Sequence, residues 1–310
     1  MLRRICALGL NTYRESVRAR LLHGLFVLAV ATAGYALVVG AYAFRDTLRV
    51  VSDVGSASVS AYAIVVSVVL GATGLYRELE HKTVFSILTR PVRRWEYLVG
   101  KFFGSWLVVA AFVLANVGVL LLAVARLGGR STESVLGVGL GSLVAAMLAA
   151  WRWPHLRSWL PLGWAVTVFG VGAWLAGVSP DDQNVLLGAA MLTLCEVAIV
   201  IALATAFASF SSPVLTALFT LGVFAVGRSA DTLANLPYRV FGKPLVAVAS
   251  GIARVVPNLM VYIPPRPLLT GEVAEVDLLR YFVQAGLQAV GWCTVLLTLA
   301  AVVFRRRDFL

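Results

Sequence analysis

The chain has 310 residues, of which 60% are hydrophobic and only 13% are charged. A water-soluble domain with so few polar residues could not cover its surface, which excludes an ordinary soluble protein. The net charge of +11 would favour a nucleic acid partner in a soluble protein, but here the basic residues cluster between long apolar runs. The sequence therefore predicts an integral membrane protein, with the lipid bilayer and no nucleic acid as its surroundings.

Residues 1–20 predict a helix that lies in the membrane interface. Leu2, Ile5, Cys6, Tyr13 and Val17 fall along one helical stripe, and arginines occupy other positions. Such a helix would lead into the first membrane crossing as an elbow.

Several apolar runs are long enough to cross a bilayer, which takes roughly 20 residues for about 30 Å of hydrocarbon. The predicted crossings are residues 21–44, 56–76, 102–127, 185–209 and 281–304, with the shorter run 213–227 as a sixth. Together they predict an all-α, polytopic bundle of membrane helices that forms a single transmembrane domain over residues 1–310.

Residues 135–178 add a hairpin to this core of six. Its apolar limbs, 135–151 and 160–178, flank a polar turn. The pair either crosses the membrane fully or re-enters from one side, so the chain has six or eight crossings. Both alternatives leave the two termini on the same side of the membrane.

Residues 229–280 form the long segment between the last two predicted crossings. An apolar stretch over residues 244–256 precedes a proline-rich passage, where the pyrrolidine rings restrict the backbone. We expect a short external, re-entrant helix there that only dips into the membrane.

The orientation follows from lysine and arginine, which are retained on the cytoplasmic side of a membrane. A cytoplasmic N-terminus puts sixteen of the 26 basic residues on that side, in residues 1–20, 77–101, 152–157 and 305–307. Most of the others lie in residues 228–280, and long segments carry little topological weight. The sequence therefore predicts a multi-pass protein with both termini in the cytoplasm.

Residues 77–101 are the most informative loop. Charged residues occupy its beginning and the stretch after Pro91, and apolar residues between them form one face of a helix. Because Pro91 disfavours helical backbone in the residue before it, we expect a short helix that ends at Thr89. The composition of the loop is equally compatible with an ordinary basic connection.

The order of residue types in this loop resembles a known family. Acidic residues precede a threonine, an apolar run, a proline followed by arginine, and then an aromatic residue and Gly-Lys. This order is similar to the cytoplasmic signature of type-2 ATP-binding-cassette (ABC) permeases, including the multi-copper maturation permeases associated with nitrous oxide reductase. Similar stretches are residues 11–18 (Asn-Thr-Tyr-Arg-Glu-Ser-Val-Arg), 211–213 (Ser-Ser-Pro), 227–229 (Gly-Arg-Ser) and 304–309 (Phe-Arg-Arg-Arg-Asp-Phe). The resemblance covers most of the chain and lapses over residues 136–179, which look like an inserted hairpin.

The resemblance implies that residues 77–89 are a cytoplasmic coupling helix that seats in a groove of a nucleotide-binding subunit. The implied ATPase-coupling residues are Glu78, Glu80, Lys82, Thr83, Val84, Phe85 and Leu88. Glu78, Glu80 and Lys82 would supply charged contacts. Val84, Phe85 and Leu88 would supply apolar contacts. The residues that would shape the loop are Pro91, Arg94, Gly100 and Lys101.

No pattern of catalytic or metal-binding residues occurs in the sequence. It contains no Gly-x-x-x-x-Gly-Lys-Ser/Thr phosphate loop, no His-Glu-x-x-His zinc motif and no Gly-x-Ser-x-Gly elbow. The three cysteines lie far apart and offer neither a disulfide framework nor a metal spacing, so we treat them as small apolar residues. We expect no catalytic site, metal or cofactor in this chain, and the resemblance places ATP and Mg²⁺ in a separate ATPase.

The resemblance also implies the assembly. Two permease copies, as a homodimer, would pair with two ABC ATPase subunits in the bacterial cytoplasmic (inner) membrane. ATP hydrolysis would then export a substrate or transmit a conformational change across the membrane, with an external or periplasmic client protein as a further partner. No cluster of residues indicates which substrate is moved.

Glu196 supports a different hypothesis. It lies inside the apolar run 185–209, where an ionised side chain costs several kcal/mol unless it faces protein or water. It is a polar lock between helices, part of a translocation route, or a protonated or hydrogen-bonded glutamate that only secures packing. The alternative function is therefore an ion- or proton-coupled secondary transporter centred on Glu196, although the inverted repeats typical of such proteins are not evident. An intramembrane enzyme is disfavoured, because the sequence pairs no catalytic residues.

Overall fold

The computed structural model of the chain describes residues 2–17, 20–42, 46–80, 93–153, 156–272 and 277–306. Within these ranges the regular structure is entirely helical, which confirms the predicted all-α membrane bundle. The α-helices in chain order are α1 (Leu2–Val17), α2 (Arg20–Ala41), α3 (Thr47–Glu80), α4 (Arg94–Leu127), α5 (Thr132–Arg152), α6 (Leu160–Ala176), α7 (Pro180–Ala208), α8 (Pro213–Arg228), α9 (Ala230–Ala234), α10 (Tyr238–Phe241), α11 (Lys243–Val255), α12 (Arg266–Leu269) and α13 (Leu278–Arg306). A 3₁₀ turn, Met260–Tyr262, lies between α11 and α12.

Six of the described helices are long and apolar enough to cross a membrane. They are α2, α3, α4, α5, α7 and α13, and two shorter apolar helices, α6 and α8, accompany them. This set differs from the six predicted core crossings in one member. The predicted sixth crossing is the 16-residue α8, about 24 Å long, because Pro213 begins the helix and the chain leaves it at Ser229. The first limb of the predicted hairpin forms the 21-residue α5 instead.

The central helix of the bundle is α4. It is buried along most of its length, and α1, α2, α3, α6 and α7 all pack against it. Glycine permits close contact between α4 and α6, since a Cβ atom at Gly118 would lie 2.8 Å from the backbone nitrogen of Phe169 in α6. Helices in a bilayer associate through such close packing, because lipid is as apolar as their side chains.

The N-terminal helix α1 docks on α4 through glycines from both helices. A Cβ atom at Gly104 would lie 2.4 Å from the carbonyl oxygen of Gly9, and one at Gly100 would lie 2.7 Å from the Cβ atom of Leu8. The two backbones therefore approach more closely than side chains would permit. The spacing of Gly100 and Gly104, which is common in membrane helices, has a specific packing role here.

The predicted stripe of α1 is divided between the bundle and the surface. Tyr13 and Val17 are buried and form an apolar cluster with Val108 of α4, whereas Cys6 is exposed. The ring of Tyr13 also contacts Trp159, with 5.8 Å between ring centroids. Since Trp159 immediately precedes α6, this contact places the turn of the α5–α6 hairpin beside α1.

The α5–α6 hairpin is attached to the bundle through its second limb. A Cβ atom at Gly172 of α6 would lie 2.9 Å from the carbonyl oxygen of Gly118 in α4. In contrast, α5 contains no buried residue. A hydrogen bond of 3.2 Å from Trp164 Nε1 to Ser142 Oγ joins the two limbs.

Residues 229–272, here called the returning segment, connect α8 to the start of α13 and contain α9 to α12. The predicted short helix is confirmed as α11. Beyond it, the backbone nitrogen of Leu259 donates to Gly227 at the end of α8, and Gln288 Nε2 donates to the carbonyl oxygen of Asn258, both at 3.0 Å. Gln288 lies about 15 Å along α13 from its first residue. The part of the returning segment that packs along α8 and α13 is therefore the turn after α11, and not α11 itself.

The glycine contact between α1 and α4 generates a first prediction. The substitution Gly104→Val should displace α1, because its side chain would overlap the backbone of Gly9 and the side chain of Thr12. In a T12C background whose native cysteines are replaced by alanine, labelling by a water-soluble maleimide should become faster in the Gly104→Val variant, because position 12 is buried in the parent protein. The matched control is Gly163→Val, since no atom lies within 4 Å of a Cβ placed at Gly163. Equal labelling rates in the two variants would contradict the docking role of Gly104.

Candidate functional site

The buried carboxylate of Glu196 in α7 is paired with Arg228 at the end of α8. Arg228 Nε donates to Glu196 Oε1 and Arg228 Nη2 donates to Glu196 Oε2, both at 2.8 Å. The side chain of Glu196 is 1% exposed and that of Arg228 is 25% exposed. This parallel, two-bond geometry is the strongest that an arginine and a carboxylate can form, and it occupies both oxygens of Glu196.

Two further contacts hold the guanidinium of Arg228. Its Nη2 atom lies 3.4 Å from the hydroxyl oxygen of Ser60 in α3, and its Cζ atom lies 5.2 Å from the ring centroid of Phe224. The pair therefore joins α3, α7 and α8. The prediction of Glu196 as an intramembrane polar residue came from a lone charge in an apolar run. Arg228 was not predicted, because a basic residue at the end of an apolar run is typical of an interfacial anchor.

A second group of charges, here called the Arg266 cluster, ties the returning segment to the bundle. It consists of Ser52 and Asp53 in α3, Asp182 in α7 and Arg266 in α12. The guanidinium of Arg266 donates to both carboxylates and, at 3.0 Å, to the hydroxyl of Ser52, which itself donates to Asp182 at 2.8 Å. One arginine thus links three helices. No sequence pattern connected these residues.

A cavity of about 630 Å³ lies between these two groups of charges. Its walls come from α3, α7, α8 and the returning segment. Arg228 and Arg266 both line it, together with Asp53 and the hydroxyl-bearing Ser60 and Thr193, and most of the remaining lining is apolar. The cavity therefore offers apolar surface with charges at the places where the helices are tied together.

The predicted coupling segment falls only partly within the described residues. α3 continues without a break through Glu78 and Glu80, so these two residues extend a crossing helix rather than begin a separate short one. The other predicted ATPase-coupling residues, together with Pro91, lie outside the described residues: Lys82, Thr83, Val84, Phe85 and Leu88. Their contact role remains a prediction.

The predicted loop-shaping residues Arg94, Gly100 and Lys101 attach the α3–α4 loop to other helices. Lys101 Nζ donates to the carbonyl oxygen of Gly74 in α3 at 2.6 Å, and Gly100 packs against α1. Arg94 Nη1 donates to the carbonyl oxygens of Phe304 and Arg305 at 3.1 Å and 3.0 Å. A guanidinium at the carbonyl end of a helix is favourable, because it satisfies carbonyl groups that lack a partner in the helix.

Stacked rings reinforce the same junction. The rings of Tyr97 and Phe304 are nearly parallel, at 18°, with 6.3 Å between centroids, and both residues are buried. Lys101 Nζ lies 5.7 Å from the Tyr97 ring centroid. The ends of α3, α4 and α13 therefore form one connected unit around the loop, here called the loop junction.

Two of the three cysteines, which show no relation in the sequence, share one groove in the structure. Cys195 and Cys293, which are far apart in sequence, line a common apolar groove between α4, α7 and α13. Both are free thiols. In the part of the chain that the structure describes, no group of three or more His, Cys, Asp or Glu residues is arranged to hold a metal ion.

The buried pair generates a second prediction. Arg228→Met should lower the free energy of unfolding by about 3 kcal/mol, because it leaves the carboxylate of Glu196 without a partner. The double variant Glu196→Met with Arg228→Met should recover most of this loss, since a methionine pair buries no charge. The measurement is thermal or denaturant unfolding of the purified protein in detergent. Arg239→Met, at an exposed arginine of the returning segment, is the control, and a double variant less stable than Arg228→Met would contradict the pairing.

The Arg266 cluster generates a third prediction. Arg266→Ala should raise hydrogen–deuterium exchange over residues 259–269 by about tenfold or more, because it removes charge-assisted hydrogen bonds worth about 1.5–3 kcal/mol. Arg254→Ala, at an exposed position of α11, should leave the exchange of those residues unchanged. Equal exchange in the two variants would show that Arg266 does not hold the returning segment in place.

Comparison with known proteins identifies the family. No curated protein matches the chain. The sequence model of the family described as "ABC-2 family transporter protein" matches residues 11–309, which is nearly the whole chain. The match supports the predicted resemblance to ABC permeases at the level of the family. The chain therefore belongs to the ABC-2 family of transporter proteins and is a membrane permease subunit of an ABC transporter.

Proposed function

We propose that this permease is driven by ATP hydrolysis in a separate ABC ATPase, which binds the loop between α3 and α4. The observation that supports this proposal best is the loop junction. Lys101 ties the start of α4 to α3, and Arg94 ties it to the end of α13. Because both ends of the loop are attached to the same unit, a force applied to the loop moves three crossing helices together.

The proposed mechanism uses α3 as a rigid connection. α3 runs from Thr47 to Glu80 without interruption, which is about 50 Å. Gly74 lies near its loop end, and Asp53 lies near its other end in the Arg266 cluster. Ser60, which contacts the buried pair, lies between them. When two ATPase subunits close on ATP and Mg²⁺, a shift of the loop would tilt α3 and change both groups of contacts.

We place both termini in the cytoplasm, as the basic residues predict, and the protein in the bacterial inner membrane, as the family resemblance implies. In that orientation the Arg266 cluster lies at the outer end of the bundle, and the cavity lies between it and the buried pair. Two copies as a homodimer, with two ATPase subunits, would complete the transporter. Release to the outside would then require the contacts of Arg266 to open.

The proposed client of the transporter is a protein outside the membrane. The similarity to the multi-copper maturation permeases associated with nitrous oxide reductase favours an external client protein over a freely diffusing substrate. In that case the returning segment, which α12 ties to α3 and α7, would transmit the movement to the client.

The alternative, a secondary transporter centred on Glu196, fits the structure less well. A coupling carboxylate must exchange its proton or ion during each cycle. Both oxygens of Glu196 accept hydrogen bonds from Arg228, so the burial of Glu196 is accounted for without a transported ion. The polar-lock interpretation of Glu196 is therefore the one we adopt.

A fourth prediction separates binding of the ATPase from coupling to it. Phe85→Ala should abolish co-purification of the ATPase from native membranes, because it removes the largest proposed apolar contact. Lys101→Met should retain the ATPase, since Lys101 bonds to Gly74 within the chain. It should impair transmission of the ATPase-driven movement from the loop junction to the returning segment. Transmission is measured as the vanadate-dependent fluorescence change of a label attached through V240C, an exposed position of α10, in a chain whose native cysteines are replaced by alanine.

The control for this experiment is Glu15→Ala, which changes an exposed residue of α1. It should retain both the ATPase and the fluorescence change. Full ATPase retention in Phe85→Ala and in Glu78→Ala with Glu80→Ala would overturn the proposed contact. An unchanged fluorescence response in Lys101→Met would overturn the role of the loop junction.

A further inference from the structure

A groove of about 500 Å³, here called the hairpin groove, separates α5 from the rest of the bundle. One wall carries Leu143 and Met147 of α5, and the opposite wall carries Phe26 of α2 and Phe112 of α4. Trp164 of α6 closes the back, in edge-to-face contact with Phe26 at 5.8 Å between ring centroids. The groove therefore runs between helices of one chain and is lined mainly by apolar side chains.

The packing of α5 indicates that this groove is filled in the membrane. α5 has no buried residue, although it is long and apolar enough to cross the bilayer. Met147, which faces the groove, is 72% exposed. An apolar groove of this size, open to the bilayer, is filled by hydrocarbon, because water there would lack hydrogen-bonding partners.

The polar groups of the groove lie at one end. Arg157, in the turn between α5 and α6, and His23, near the start of α2, both line it, and none of its described lining residues is a carboxylate. The contact of Tyr13 with Trp159 places this turn beside α1, so the charged end lies on the α1 side of the membrane. Arg157 Nε donates to the carbonyl oxygen of Ala150 at 3.0 Å, and the guanidinium has further N–H donors suited to a phosphate.

The groove is short enough to lie within one leaflet. Its lining extends from Leu143 to Ala150 on α5 and from Val108 to Ala115 on α4, which is about 10 Å on each helix. One leaflet contributes about 15 Å of the 30 Å hydrocarbon core.

We propose that the hairpin groove binds one phospholipid from the leaflet on the α1 side, with an acyl chain between α5 and α4 and the phosphate at Arg157. The occupant is a lipid because the groove is apolar along its length within one leaflet and basic at the headgroup end. An anionic headgroup is preferred, since the described lining holds basic and no acidic side chains. The lipid would complete the packing of α5 against the bundle. This site does not depend on the proposed contact with an ATPase.

The test is native mass spectrometry of the purified full-length chain in detergent, titrated with phosphatidylglycerol or phosphatidylcholine. The parent protein should retain one phosphatidylglycerol per chain in preference to phosphatidylcholine. Arg157→Ala should weaken phosphatidylglycerol retention about tenfold, because it removes a charge-assisted contact to the phosphate. Met147→Trp should abolish retention, since the larger side chain would occupy the groove, and Ala146→Leu is a milder variant with the same expected direction.

The controls lie on the same hairpin outside the groove. Leu148→Trp places the same bulk at an exposed position of α5, and Arg152→Ala removes a charge near the same turn; both should retain lipid as the parent protein does. Undiminished lipid binding in both Met147→Trp and Ala146→Leu would overturn the site. A change in oligomeric state of these variants with unchanged lipid binding would instead identify the groove as a protein interface and also overturn it. Equal retention of the two lipids, unaffected by Arg157→Ala, would overturn the headgroup assignment.

Discussion

Close backbone contact along α4 is the constraint on which the rest of the bundle depends. Lipid provides no hydrophobic driving force for helix association, so the helices are held by packing and by the few polar contacts between them. Gly104 admits α1 and Gly118 admits α6 at distances that leave no room for a Cβ atom. A glycine also admits α4 to α3, since a Cβ atom at Gly55 would lie 2.6 Å from the side chain of Leu120. With α3 and α4 packed against each other, Lys101 lies within hydrogen-bonding distance of Gly74, and the loop junction builds on this packing.

Charged side chains inside the bundle act as ties between particular helices. Glu196 and Arg228 join α7 to α8, and Arg266 joins α12 to α3 and α7. Such pairs add little net stability, because the cost of removing charges from water offsets much of their attraction. Their effect is on specificity. Any arrangement of helices that separated Glu196 from Arg228 would leave an unpaired charge in apolar surroundings, which is costly in a membrane.

Most of the fold was predictable, because a crossing helix must be both long and apolar. The lengths of α5 and α8 were harder to judge, since helix termini depend on residues such as Pro213 that do not change hydropathy. Glu196 stood out as a lone charge within an apolar run. Its partner did not, because Arg228 is 32 residues away and resembles an interfacial anchor. Arg266 and Asp182 are 84 residues apart, and only the folded chain brings them together.

The uninterrupted helix α3 connects the loop junction, the buried pair and the Arg266 cluster. The helix contacts the loop junction through Gly74, the buried pair through Ser60 and the Arg266 cluster through Asp53. A helix is stiff along its axis, so a tilt imposed at one end of α3 moves all three contact points. Asp53 belongs to α3 itself, whereas Glu196 and Arg228 belong to α7 and α8. A tilt of α3 would therefore act directly on the contact between Asp53 and Arg266, and it would reach the buried pair only through Ser60. The cavity between them would open toward the returning segment and stay closed at the buried pair.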